Sequence, residues 1–328
     1  FANSAAKAIL GEGCVGSAVK SVFGVEIAEA QAASFIGDLP IGGVRYIIRV
    51  TSMEGVRAVF LTKHEESAAL INDALIYSLR NCLMGLGVTT EMLRTRAEEA
   101  KDAELLAGLA SVTHDYYRIN RMLSNVTLIR SIDDGSLFFV PRPTDLAALL
   151  AQLTDTVNLI SDGPRVVYSG PEELTVSIDP ALAENLVLNL ISNSLTHAAG
   201  CTRVSLRLIE DHERVVISVN DDGCGIAPEK LHFVFDRYRH DFGISDIDHG
   251  AGLGLTAALA IANLHGGTLL LESRENSGTT VRASFSRNPV PTQPLCAAQE
   301  EPERGMRSLL TGLANCLPDS CFGEKYAE

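Results

Sequence analysis

The sequence has no tryptophan, and aromatic residues of all kinds make up 5% of its 328 positions. Core-forming side chains are otherwise plentiful, with 46% of residues hydrophobic and 21% charged, which excludes a disordered, collagenous or fibrous chain. Basic side chains are scarce. The 27 Lys and Arg against 41 Asp and Glu leave a formal charge of -14, so non-specific affinity for a nucleic-acid backbone or an anionic lipid surface is excluded as a main activity, and a nucleotide would need a local site. Long apolar runs are missing as well: none approaches the roughly 18 residues of a membrane span, and Phe1 does not open a basic-then-apolar signal segment. The seven cysteines, Cys14, Cys82, Cys201, Cys224, Cys296, Cys316 and Cys321, are odd in number and include no Cys-x-x-Cys pair or matched Cys/His set. Neither a disulfide framework nor a zinc site follows from them. Reduced thiols and a cytoplasmic location are expected, with membrane attachment only through a segment upstream of Phe1.

At about 150 residues per domain the length predicts two domains, or three if one is small. Residues 1–63 read as mixed α/β: short Gly-punctuated pieces, then two β-rich runs, Val44 to Thr51 and Arg57 to Thr62, separated by the hairpin signal Ser52-Met53-Glu54-Gly55. That order resembles the later part of a PAS sensory domain. From 64 to 135 the pattern turns helical. Ile71, Leu75, Leu79, Leu83 and Leu86 recur at intervals of four and three, and Leu105, Leu109, Val112, Tyr116, Ile119, Leu123 and Val126 keep the 3.5-residue period of a coiled-coil seam. Charged residues from Arg94 to Glu104 fill the expected connection. Two antiparallel helices of this kind cannot bury their stripes alone, so a four-helix bundle with a second copy, a homodimer, is predicted.

Asp134-Gly135 and Pro141-Arg142-Pro143 mark a boundary. Residues 139–288 then alternate helices and strands. A helix runs from Asp145 to about Ile160, and a long one opens at Asp179-Pro180 with an N-cap followed by proline. A hairpin follows from Arg203 to Asn220, then a helix near Leu255 to Leu264 and two final strands. The whole predicts an α+β chain whose C-terminal unit is a two-layer α/β sandwich. Residues 289–328 turn to Pro, Gln and Glu, and a loosely ordered tail is expected there, apart from a short helix near Leu309 to Leu317.

Four motifs in the C-terminal unit carry chemistry. Asn185, Asn189 and Asn193 stack on one helix face at i, i+4 and i+8; one such amide oxygen suffices for Mg²⁺, which takes its remaining ligands from phosphates and water. Asp221-Asp222-Gly223-Cys224-Gly225-Ile226 ends a strand, where a carboxylate can accept the exocyclic amine of adenine. Phe235-Asp236-Arg237-Tyr238-Arg239 and a polar stretch from His240 to His249 precede Gly250-Ala251-Gly252-Leu253-Gly254-Leu255, whose glycines free backbone N–H groups at a helix start for phosphate oxygens. A dinucleotide fingerprint is rejected, because Asp246-Ile247-Asp248-His249 is not an apolar strand.

Taken in order with Gly278-Thr279-Thr280, these segments resemble the N, G1, F, G2 and G3 boxes of the sensor histidine kinases of two-component systems, whose ATPase domain is of the GHKL type shared with gyrase and mismatch-repair clamps. The resemblance implies ATP and Mg²⁺ as cofactors, a dimeric hairpin stalk, a receiver-domain partner and no nucleic-acid ligand. It assigns Asn193 to the metal. ATP binding falls to Asn193, His197, Asp221, Gly223, Gly225, Gly250, Gly252, Leu253, Gly254, Leu255 and Thr279. Asn189, Arg237 and Arg239 are the implied catalytic residues. The family's usual Lys three residues after the magnesium Asn is Thr196 here.

In that family the first hairpin helix carries the phospho-accepting histidine. The matching stretch reads Tyr77-Ser78-Leu79-Arg80-Asn81-Cys82-Leu83, so Tyr77 and Ser78 stand where the family has the nucleophile and its acid. A phenol with pKa near 10 lies about three units from its nucleophilic form, a handicap of roughly 4 kcal/mol. His114, followed by Asp115 on the second helix, is the best surrogate acceptor. A phosphoryl-transferring kinase and a catalytically degenerate ATP-binding regulator are therefore both carried forward. A gyrase-type ATPase clamp is disfavoured, because Asn189 occupies the position of its water-activating carboxylate.

Overall fold

The computed structural model describes residues 7, 10, 34–41, 44–53, 56–63, 73–211, 213–228, 231, 252–287 and 306–323. Strands β1 (Ser34–Ile41), β2 (Val44–Met53) and β3 (Val56–Lys63) form an antiparallel meander. Pairing between β2 and β3 continues to Met53↔Val56, which shortens the expected four-residue turn to two. The short helices expected ahead of this hairpin lie outside the described residues. The meander does not stand apart as a module. Its first strand pairs with β9 (Leu269–Ser273) through Phe35↔Glu272, Ile36↔Leu271 and Gly37↔Leu270, giving one sheet of order β3-β2-β1-β9-β10-β8-β7-β5. Without β1, the β9 edge would present a row of unpaired backbone groups, and edge pairing of this kind removes it.

Helices α1 (Asp73–Ala100) and α2 (Ala103–Asp133) follow. They run antiparallel, as shown by Gly87 on α1, where an added Cβ would lie 3.2 Å from the Tyr116 ring on α2. The charged stretch from Arg94 to Glu104 is not a loop. Arg94 and Ala97 are buried, so the helix continues through it, and the turn shrinks to Lys101, in the left-handed region at φ 54°, and Asp102. The Asp102 carboxylate caps α2 by accepting from the Leu105 N–H at 3.0 Å.

The C-terminal unit comprises β4 (Arg142–Asp145), α3 (Leu146–Ile160), β5 (Arg165–Ser169), β6 (Thr175–Ile178), α4 (Pro180–His197), β7 (Arg203–Glu210), β8 (Arg214–Asp221), α5 (Leu253–Leu264), β9 and β10 (Thr279–Ser286). The expected Asp179 cap is present, and Asp145 caps α3 as well. The Asp145 side chain accepts from Ala147 and Ala148 N–H, and the Asp179 side chain accepts from Ala181 and Leu182 N–H ahead of Pro180. Apolar residues of α3, α4 and α5, among them Leu150, Leu186, Leu190 and Ile261, share one core with Val204, Leu206, Ile217 and Ala283 of the sheet. This is the α+β layering expected of it.

Within the C-terminal segment, the helix expected near Leu309 to Leu317 is present as α6 (Met306–Leu313), followed by a 3₁₀ turn (Asp319–Phe322), and the two bury Leu309, Leu310, Leu313, Leu317 and Phe322. The segment packs on two regions together. Gly312 sits where a Cβ would come within 2.8 Å of the Leu188 side chain on α4, while Phe322 stacks on His114 of α2 with ring centroids 4.6 Å apart.

Candidate functional site

Strand β8 delivers Asp221 to the edge of the core, 4% exposed. Its Oδ1 accepts from the N–H groups of Gly223 (3.2 Å) and Thr279 (3.1 Å), and its Oδ2 accepts from the Ser194 hydroxyl at 3.1 Å. Burial pushes its pKa up, opposed by those three donors. A carboxylate has about four acceptor positions, so the three donors leave one on Oδ2. Asp222 faces outward and anchors the turn, accepting from the Thr202 hydroxyl and from the Thr202 and Arg203 N–H groups, which hold its carboxyl well below the usual range. Gly223 and Gly225 answer to the chain's own packing: a Cβ at Gly223 would meet Ala198 at 2.4 Å, and one at Gly225, φ +65°, would meet the Arg274 carbonyl at 2.1 Å. Thr279 exchanges a hydroxyl hydrogen bond with Ser273 at 2.9 Å.

Helix α4 carries the asparagine face. Asn189 donates to the Asn185 oxygen at 2.8 Å, as their spacing predicts. It is buried, and its own oxygen is taken by residues of α2, Arg121 Nη2 at 3.0 Å and Asn125 Nδ2 at 3.3 Å. Arg121 Nη1 also donates to Ser192 Oγ at 2.7 Å. Asn193 is half-buried, and its oxygen lies 3.4 Å from the Cβ position of Gly254. Gly252, at φ 64°, starts α5 with no side-chain cap, leaving the first-turn N–H groups to a ligand or solvent. Leu253 is buried and Leu255 half-buried, while His197 is exposed in the last turn of α4. Asp221 and the start of α5 thus both meet α4, Asp221 at Ser194 and α5 at Asn193 and Asn189. Arg237, Arg239 and Gly250 lie outside the described residues. No cluster of His, Cys, Asp and Glu among the described residues could hold a metal ion, so an amide oxygen acting with phosphates is the donor set on offer.

Residues 178–289 match the model of the family described as "Histidine kinase-, DNA gyrase B-, and HSP90-like ATPase". The chain carries this ATPase domain and is similar to sensor histidine kinases. It is 28% identical over 252 residues to the signal transduction histidine-protein kinase AfsQ2 of Streptomyces coelicolor, covering 74% of this chain and 45% of that protein. It is 37% identical over 132 residues to the histidine protein kinase DivJ of Caulobacter vibrioides, covering 40% of this chain and 22% of that protein. Among solved structures, full-length ShkA in complex with AMPPNP is similar in fold at TM-score 0.54 and 18% identity, covering 66% of this chain and 46% of that one. The chain spans less than half the length of these relatives.

Tyr77 and Ser78, expected at the acceptor position, are exposed, Tyr77 to 68%. Their neighbour Ile76 is buried in a cluster with Val126, Ile129, Leu253 and Ala257, so the hairpin docks on the start of α5 beside the acceptor position. His114 is held at both ring nitrogens: Nδ1 pairs with Asp319 at 2.5 Å and Nε2 with the Ala314 carbonyl at 2.6 Å. In this arrangement neither nitrogen is open to a phosphoryl group. Arg121, Asn125 and Ser194 were not singled out from sequence. The available signal was no more than a polar pair spaced by four in α2, between seam positions.

Proposed function

We propose that this chain is the cytoplasmic signalling core of a two-component sensor histidine kinase, a homodimer through the α1–α2 hairpin that binds Mg-ATP, with transfer of the γ-phosphoryl group toward a receiver-domain partner as its activity. The observation that carries the nucleotide reading is Asp221: a buried carboxylate with three fixed donors and one acceptor position left suits a single amine such as that of adenine. Asn193 and the uncapped start of α5 lie on the same helix pair, as a phosphate chain extending from that base requires. Asn193 would hold the magnesium ion, which when bound neutralises phosphate charge. Asn189 sits one turn away. Positioning and charge stabilisation are what such a site contributes to phosphoryl transfer.

A second reading, a catalytically degenerate ATP-dependent regulator, is favoured by the acceptor position. Tyr77 and Ser78 bring neither imidazole nor carboxylate, and His114 is engaged at both nitrogens. Incubation with γ-labelled ATP separates the two. Label lost in acid and kept in base marks phosphohistidine and the kinase reading; label stable to both marks Tyr or Ser; nucleotide binding without label marks the regulator. If calorimetry detects no binding of Mg-ATP by the full chain, both readings fall.

A further inference from the structure

We propose that Arg121, carried by hairpin helix α2, reads the terminal phosphate of a nucleoside triphosphate held by the ATPase domain. The proposal rests on the nucleotide-binding reading above and assigns a ligand contact to a residue outside the family motifs.

The first observation is an unmatched charge. Arg121 is 6% exposed, and its partners, Ser192 Oγ and Asn189 Oδ1, are both neutral. Among the described residues no Asp or Glu forms an ion pair with it. Burial lowers its pKa to about 10. A guanidinium removed from water without a counter-ion is costly, and proteins ordinarily pair such a charge with an anion. Among the described residues none is supplied: the ionisable group that acts on Arg121 is the Cys316 thiol, which burial pushes up to about 11 and so keeps neutral.

The second observation is where that charge lies. A Cβ on Gly254 would be 3.7 Å from Arg121 Nη2, 3.1 Å from Asn189 Oδ1 and 3.4 Å from Asn193 Oδ1. Gly254 is the second residue of α5, whose 12 residues begin without a side-chain cap. A buried cation, the positive end of a helix and the candidate metal ligand therefore converge around Gly254, whose missing side chain lets α5 approach them closely. Phosphate oxygens are the ligand class this suits, and the planar fork of arginine matches them.

Position along α4 selects the terminal phosphate. Ser194 is bonded to Asp221, the base-recognising carboxylate; Asn193 comes next; Asn189, which touches Arg121, lies a further turn back. At about 1.5 Å per residue, Arg121, held by Ser192 and Asn189, stands on the side of Asn193 away from the base. An incoming γ-phosphate takes over the donors now spent on Asn189 and Ser192. The hairpin thereby distinguishes triphosphate from diphosphate, and docking of α2 becomes linked to the state of the nucleotide.

The test measures dissociation constants of the full chain for AMPPNP and for ADP, each with Mg²⁺, in wild type, Arg121→Met and Arg121→Lys. Arg121→Met is expected to weaken AMPPNP about tenfold more than ADP, the size of one charged hydrogen-bonded contact, and Arg121→Lys to restore part of the difference. Without nucleotide, Arg121→Met is expected to melt no lower than wild type, since it removes an uncompensated charge. Equal loss for both nucleotides with a lower melting temperature would make Arg121 a structural tether and overturn the proposal. So would an unchanged AMPPNP-to-ADP ratio, and in either case retained ADP binding leaves the nucleotide-site reading standing. A wild-type chain that binds neither nucleotide overturns both.

Discussion

Helices α1 and α2 are of similar length and carry similar apolar periodicity, but their surroundings differ. On α2, Leu109, Tyr117, Leu123, Val126 and Ile129 are buried, covered by α1, α5 and the C-terminal segment. On α1, Leu75, Tyr77, Leu79, Met84, Leu86, Val88, Met92 and Leu93 are exposed in the single chain, against only Ile76, Leu83 and Ala97 buried. One helix has much of its apolar side covered by its own chain, with Leu105, Val112 and Ile119 left exposed. The other presents Leu75, Leu79, Leu86 and Leu93 along one side as an exposed apolar stripe, the kind of feature that marks an association surface. Periodicity alone tells a reader that a face is destined for burial; which body buries it is decided by tertiary structure.

The contrast can be broken most strongly on α1. Leu79→Glu combined with Leu86→Glu places four charges in a two-copy bundle and removes four leucines worth roughly 1.5–3 kcal/mol of burial each. Sedimentation should show a monomer with the C-terminal unit still folded; a persisting dimer would mean that this stripe is not the interface. On α2 the corresponding variant is Phe322→Ala, which uncovers His114 and Tyr117. A fully buried Phe truncated to Ala costs about 3–5 kcal/mol, and chemical denaturation should register it, with increased hydrogen exchange confined to α2 and α4. A loss spread evenly over the hairpin would erase the distinction between the helices.

Smaller effects sharpen it. Asn125→Ala removes a donor to Asn189 and is expected to cost about 1 kcal/mol, read as a lower melting temperature without a change of oligomeric state. Last, His265 ties stability of the ATPase region to pH. It is fully buried between Phe139 and Phe285. Its Nε2 accepts from the Asp179 N–H at 3.1 Å and its Nδ1 donates to the Ile261 carbonyl at 2.9 Å, which requires the neutral ring. Burial lowers its pKa from 6.5. The unfolded chain therefore binds the proton more readily, and this contribution is complete above about pH 6.5 and lost as pH falls below it. The melting temperature should decline from about pH 6.5 downward in wild type, and His265→Gln should flatten that slope; an equal slope in the variant would assign it to other groups.

Much of the C-terminal unit was legible because its signals are local. The Asp179-Pro180 start, the Arg203 to Asn220 hairpin and the Asp145 cap each need only a few neighbouring residues, and the ordered boxes needed only spacing. The charged run from Arg94 to Glu104 misled, because burial of Arg94 and Ala97 depends on packing that composition does not report. Arg121 and Asn125 were invisible for a related reason: as polar residues between seam positions they read as solvent-facing until α4 is placed against them. The C-terminal segment was half visible. Its apolar stretch suggested a helix, but its footing on both Leu188 and His114 is a property of the assembled chain.

The junction between β1 and β9 has a mechanical meaning. It is a backbone ladder of Phe35, Ile36 and Gly37 against Glu272, Leu271 and Leu270, and an antiparallel ladder is remade with the same faces only in two-residue steps of about 7 Å. Force applied along the N-terminal meander therefore reaches the ATPase sheet as shear on a short zipper, which holds or jumps a notch. Such a coupling transmits discrete settings in place of graded displacement.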